Sequence, residues 1–261
     1  MKLNVMRADP AGNITLFVMD PVEKALRGKI SEQLMAIESF KAEQVGFYCP
    51  PTVEGADGHM EMMGGEFCGN ATRAFGMLIA KEKGGASNVR IETSGCDHLV
   101  NVVVDLEAGT SRSEMPLPLS VRDAEVDGHK GVLVNLGGIA HFIVEGVAPD
   151  QAFFDKAEPL FQDIEGLDAY GVMFHNNGKM DPLVKVPAAN SLVWEGSCGS
   201  GSLASAIAQS QDLVDGEFAK DYIQPAGIVR ATAVRKGGEV VATFIGGPVS
   251  LDEPVEVEVE L

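Results

Sequence analysis

After Asp20-Pro21, apolar residues recur every three or four positions, at Val22, Leu26, Ile30, Leu34 and Ile37. This spacing predicts a helix that starts at the proline and turns one apolar stripe to a core. Residues 42–49 and 58–63 are apolar and aromatic enough for strands, the second ending at the Gly64-Gly65 turn. Beyond Cys68-Gly69-Asn70, the residues Ala71, Ala74, Phe75 and Leu78 follow helical spacing, which predicts a helix to about Lys83 with Cys68 at its start. Strands are predicted over 89–93 and 99–106, and the proline-rich Met115-Pro116-Leu117-Pro118 closes this half.

The second half runs in the same order. It has a strand over 131–135, a Gly137-Gly138 turn, an apolar strand over 141–144 and a helix over about 150–162. After Gly196-Ser197-Cys198-Gly199-Ser200-Gly201, Leu203, Ala206 and Ile207 mark a helix face, and strands follow over 228–234 and 240–245. Cys68 and Cys198 stand half the chain length apart, and each precedes a glycine and a helix. The segments Gly12–Val18 and Gly138–Val144 share a glycine-then-apolar outline at nearly the same offset. Together these predict an internal duplication with domains over 1–118 and 119–261, one terminal strand being free to cross over. A chance match of two βα-rich halves is the alternative.

Composition narrows the function. With 38 acidic against 20 basic residues and a net charge of −18, the 261-residue chain would repel a phosphate backbone, so nucleic acid is not expected as a partner. No apolar run approaches the roughly 20 residues of a membrane span, and Met1–Asp9 has no apolar signal region, so a cytoplasmic location is expected. Cys49, Cys68, Cys96 and Cys198 have neither disulfide-scaffold context nor zinc-knuckle spacing, and are expected as thiols with no metal. Cys49 and Cys96 open no predicted helix and read as packing residues.

Cys68 and Cys198 differ from them. A helix N-terminus stabilises a thiolate, and the neighbouring glycines let backbone N–H groups approach a carboxylate. Inverting an α-carbon removes a proton from one face and returns one to the other, which suits two acid–base groups. Two matched thiols at helix starts therefore point to a racemase or epimerase, with the roles of thiol and thiolate exchanged between enantiomers. Either cysteine alone would read rather as a small buried hydrophobe, and it is the matched pair that points to chemistry.

These residues resemble a known family. Cys68-Gly69-Asn70 and Cys198-Gly199-Ser200-Gly201 are similar to the paired cysteine motifs of diaminopimelate epimerase and its relatives, as are Gly12-Asn13, Gln44 and Gln224-Pro225-Ala226-Gly227. The resemblance implies an α+β fold of two similar pseudo-symmetric domains, each a mainly antiparallel curved β-structure around a central helix. It implies no cofactor, neither pyridoxal phosphate nor metal, and an amino-acid substrate. Cys68 and Cys198 become the catalytic pair; Asn13, Gln44, Gly69, Asn70, Gly199 and Ser200 become substrate contacts. A homodimer is admitted but not specified.

The epimerase's Glu-Arg-Gly before the second cysteine is absent here, where Ala188–Trp194 carries no arginine, and Glu61–Gly65 replaces its Asn-Ala-Asp-Gly turn. Glu43–Phe47, Gly65–Thr72, Ser94-Gly95-Cys96 and Trp194–Cys198 instead resemble the cofactor-independent histidine racemase branch. Glu43 and Glu195 would then suit an imidazole, unless they are surface glutamates. Diaminopimelate epimerase activity, a cysteine hydrolase using His141 and a non-catalytic amino-acid-binding relative are the competing readings.

Overall fold

A computed structural model describes residues 1–260. The fold is α+β, mostly strand with four α-helices among the described residues. It divides into two compact units, Met1–Glu114 together with the chain from Gly246 onward, and Met115–Ile245.

In the first unit, β1 (Lys2–Asp9) pairs antiparallel with β2 (Thr15–Val18), and β2 runs parallel to β3 (Gln44–Cys49). β4 (Gly58–Met62) is antiparallel to β3 and parallel to β5 (Asn88–Thr93), and β6 (Val100–Asp105) and β7 (Thr110–Glu114) continue antiparallel. The other edge of β1 is filled from the chain's far end by β17 (Ser250–Leu251) and β18 (Val255–Glu258). The domain expected to run to residue 261 therefore stops at Ile245, because those last strands complete the first unit's sheet.

Helix α1 (Lys24–Met35) is shorter than its apolar pattern predicts. Val22 and Ile37 still pack into the core, but from the chain entering and leaving the helix. Helix α2 (Gly69–Glu82) is buried at every residue from Gly69 to Ala80, not along one stripe alone. Its small residues make that possible. A Cβ on Gly76 would sit 2.5 Å from Val102 Cγ1, so strand β6 approaches the helix only because no side chain intervenes. Phe75 and Ile79 fill the remaining space, each contributing about 1.5–3 kcal/mol by burial.

In the second unit, β8 (Ser120–Val126), β9 (His129–Asn135) and β10 (Ile139–Glu145) form an antiparallel run, and β10 is parallel to β11 (Ala169–Asn176). β12 (Lys179–Val186) and β13 (Ser191–Trp194) extend it antiparallel, while β14 (Gly216–Ile223) pairs with β15 (Ile228–Lys236). β16 (Glu239–Pro248) carries the chain back to the first unit. Helix α3 (Gln151–Ala157), capped by Asp150 on the Ala152 amide, gives way to a tighter 3₁₀ turn at Glu158–Phe161 that contains Pro159. Helix α4 (Gly199–Gln209) packs against β9, β10 and β15. No helix among the described residues is long and apolar enough to cross a membrane.

Candidate active site

Cys68 occupies the N-cap of α2 in an extended conformation, φ −124° and ψ 108°, and its Sγ accepts the Ala71 amide at 3.4 Å. Its carbonyl accepts both the Thr72 amide at 2.9 Å and the Thr72 hydroxyl at 2.8 Å. The loop leading to it is fixed from below. Ser94 Oγ donates to Glu66 O at 2.8 Å, and Gly95, at φ +72°, lies so close that a Cβ would stand 2.3 Å from Phe67 N.

Around this thiol the first unit gathers three of the residues singled out in the sequence. Gln44 Nε2 donates to Asn13 Oδ1 at 2.9 Å and to Thr15 Oγ1 at 2.8 Å; Asn13 Nδ2 donates to Glu43 Oε2 at 2.6 Å; and Asn13 Oδ1 lies 3.9 Å from Cys68 Sγ. Glu43 thus bonds Asn13, on the exposed rim. Partial desolvation of its carboxylate raises the Glu43 pKa, the Asn13 bond opposes that, and Asp9 adds to it. Gly69 and Asn70 are buried in the first turn of α2. Burial pushes the Cys68 thiol up, while the Ala71 amide, Gln44 and the Asn70 amide pull it down and Glu66 raises it.

In the second unit Cys198 is the N-cap of α4, φ −117° and ψ 107°, with Sγ accepting the Gly201 amide at 3.3 Å. Its carbonyl accepts the Ser202 amide at 3.1 Å and the Ser202 hydroxyl at 2.7 Å. The Cys198 amide donates to Gln224 Oε1 at 2.7 Å, and Gln224 Nε2 donates to Ser202 Oγ at 3.0 Å, so the Gln224-Pro225 turn holds the cap from the side. A Cβ on Gly201 would meet Met173 Sδ at 2.1 Å, so any larger residue here would push the Met173 side chain of β11 aside.

Ser200 Oγ stands 3.5 Å from Cys198 Sγ and 2.9 Å from His141 Nε2. His141 is fully buried, and burial lowers its pKa to about 3, so the ring is neutral at physiological pH. It reaches the sulfur only through Ser200, and a thiolate–imidazolium pair, which a cysteine hydrolase would need, is disfavoured. The Glu195 carboxylate lies near enough to Cys198 to act on its thiol. Burial first, and then this carboxylate, push Cys198 well above the ordinary thiol range, against the pull of Ser200 and the Gly201 amide.

A family model described as the histidine racemase CntK N-terminal domain matches residues 2–253. The chain belongs to the histidine racemase family. It is 31% identical over 272 residues to a histidine racemase of Fusobacterium nucleatum subsp. nucleatum, covering 99% of this chain and 95% of the relative. A histidine racemase of Staphylococcus aureus is 25% identical over 245 residues, covering 87% of each. The fold is similar to that of a probable proline racemase from Agrobacterium radiobacter K84, with a TM-score of 0.63 at 13% identity over 99% of this chain and 93% of that one.

The remaining thiols stand apart from these groups. Cys49 is buried on β3 beside Arg27, its Sγ 3.3 Å from Nη2, and Cys96 is half-buried near Asp97 and Glu114. All four cysteines are free. A hollow of about 880 Å³ in the second unit is lined by Asp123, Lys130 and Gln209 among others and lies toward the C-terminal end of α4, the opposite end from Cys198. Sequence reasoning missed Thr72 and Ser202, although the hydroxyl four residues after each cysteine is a visible repeat, and it missed Arg73, which lies behind Asn70.

Proposed function

We propose that this chain is a histidine racemase that works without pyridoxal phosphate or metal, using Cys68 and Cys198 as the two acid–base groups. The observation that carries the reading is the matched setting of the two thiols: each caps a helix in extended conformation and accepts the amide three residues on. One thiolate would take the α-proton from one face while the other thiol returns a proton to the opposite face, with the roles reversed for the other enantiomer. The first-turn amides of α2 and α4, those of Gly69 and Asn70 and of Gly199 and Ser200, would hold the carboxylate and the charge that develops at the α-carbon. Asn13 and Gln44 would fix the substrate beside Cys68, and the Glu43 and Glu195 carboxylates suit a basic or imidazole side chain.

The same matching supports two pseudo-symmetric halves, each a β-structure around a central helix, of the diaminopimelate epimerase type. The test is α-proton exchange and inversion followed by NMR in D₂O, under reducing conditions, on a panel of L- and D-amino acids including histidine and diaminopimelate. Wild type should invert and label histidine, and Cys68→Ala or Cys198→Ala should lower the racemisation rate by at least about a thousandfold, at the upper end of the range for positioned acid–base groups. Inversion of histidine surviving in either variant sinks the two-thiol reading. Labelling of diaminopimelate in place of histidine sinks the substrate.

A further inference from the structure

Arg73 has no part in the reading above, yet it is the largest fully buried side chain in the molecule. A dry guanidinium is costly unless its charge is answered. Nε donates to Asn70 Oδ1 at 3.1 Å, and Nη1 donates to the carbonyls of Gly247 and Pro248, both at 3.1 Å. Nη2 is buried without a protein hydrogen-bond partner among the described residues. Neutral carbonyls orient the group but do not balance its charge. The anions whose fields reach it are Cys68 and Asp9, and Asp9 is already paired with Arg7 at 3.3 Å.

The strands packed on α2 turn mainly apolar or hydroxyl side chains to it: Met60, Met62, Ile91 and Val102, then Ser111 and Ser113 of β7. Among the charged groups near Cys68, Glu66 in its own loop raises the thiol, Glu43 is one hydrogen bond removed through Asn13, and Arg73 within the helix is close enough for Cys68 to support its charge. Of the two carboxylates, Glu66 disfavours a thiolate. Arg73 is the cation of this group, and by the reciprocity of charge interactions it favours the thiolate; it stays charged at neutral pH even though burial lowers it to about 10.

We propose that Arg73 is a positioning residue of the first half-site: it locks the Asn70 side chain in the first turn of α2 and supplies the buried cation that balances the Cys68 thiolate. The inference rests on the reading of Cys68 as an acid–base group, but its test does not depend on turnover. Iodoacetamide alkylation of Cys68 is followed against pH by peptide mass spectrometry in the full chain, with Cys198 in the same digest as the internal control.

In Arg73→Met the Cys68 profile should move to higher pH, so that alkylation at pH 7.5 falls roughly tenfold, the lower end for losing a nearby opposite charge. The Cys198 profile should stay in place. Arg73→Lys, which keeps the charge, should restore the Cys68 profile to within about threefold of wild type, a range in which the charge rather than the shape decides. An unmoved Cys68 profile in a folded Arg73→Met overturns the proposal, and so does a shift of both cysteines together, which would mark general loosening. If the methionine variant does not fold, Arg73→Lys decides alone: tenfold slower alkylation of Cys68 overturns it, and a profile near wild type supports it. Should Cys68→Ala still racemise histidine while Arg73→Met moves the Cys68 profile, the catalytic reading falls and the charge balance stands.

Discussion

The two cysteine caps share a backbone and differ in charge. Around Cys68 and Cys198 the dihedrals agree within about ten degrees, the same amide is accepted, and the same carbonyl takes both an amide and a hydroxyl from four residues on. Behind Cys68 stands a buried arginine, with Gln44 among the groups that pull its thiol pKa down. Behind Cys198 stands a neutral histidine reached through Ser200, with the Glu195 carboxylate raising the thiol pKa. One scaffold thus supports two electrostatic environments. Burial raises both thiols, and the carboxylate beside Cys198 adds to its rise, whereas Cys68 lies close enough to the buried Arg73 for the two charges to support each other.

The comparison can be broken first by acid. His141 has its pKa lowered to about 3 and His175, half-buried in the same unit, to about 4, both chiefly by burial. Because these folded-state values lie below the unfolded value, the stability they permit is present above about pH 6.5 and is lost as pH falls toward those values. Each should contribute a slope of about 1.4 kcal/mol per pH unit in that window. His141→Gln, which keeps a neutral partner for Ser200, should flatten the urea-midpoint profile between pH 6 and 4 by about one such slope. An unchanged profile would mean that His141 is protonated in the fold.

A smaller effect is expected from Glu195→Gln. Removing the carboxylate that faces Cys198 should raise its alkylation rate at pH 8 by roughly tenfold and leave Cys68 unchanged, so the two caps would become more alike. A Cys198 profile that does not move would show that burial alone sets it.

The smallest effects concern the shared hydroxyls. Thr72→Val should cost about 1 kcal/mol in denaturant unfolding, the usual price of one hydrogen bond. Ser202→Ala should cost about 2 kcal/mol, because it also strands the buried Gln224 amide group that donates to Ser202. Equal losses would mean that Gln224 finds another partner.

Much of the candidate site was legible because its two helix caps lie in short local motifs. Both cysteines were placed at helix starts from Gly69 and Gly199 and from the apolar spacing that follows. Strands without such a signature were not. β8 alternates poorly and buries only Val126, and β12 carries Pro182 within the ladder opposite Met173, a residue that argues against a strand in any local reading. β14 exposes most of its residues and pairs along its length with β15 alone. Arg73 was invisible for a related reason. An arginine on an amphipathic helix is ordinarily solvent-facing, and only the enclosure of α2 on every side puts it in the core.

The return of the chain to the first unit has a consequence for synthesis. Strands β17 and β18 close the edge of β1, and Arg73 grips the carbonyls of Gly247 and Pro248, yet all of these lie after the whole second unit in the order of translation. The second unit can condense as soon as Ile245 is clear of the ribosome, whereas the first waits with an open β1 edge and an ungripped guanidinium. The half-site that is read first from the message is therefore the last to be finished.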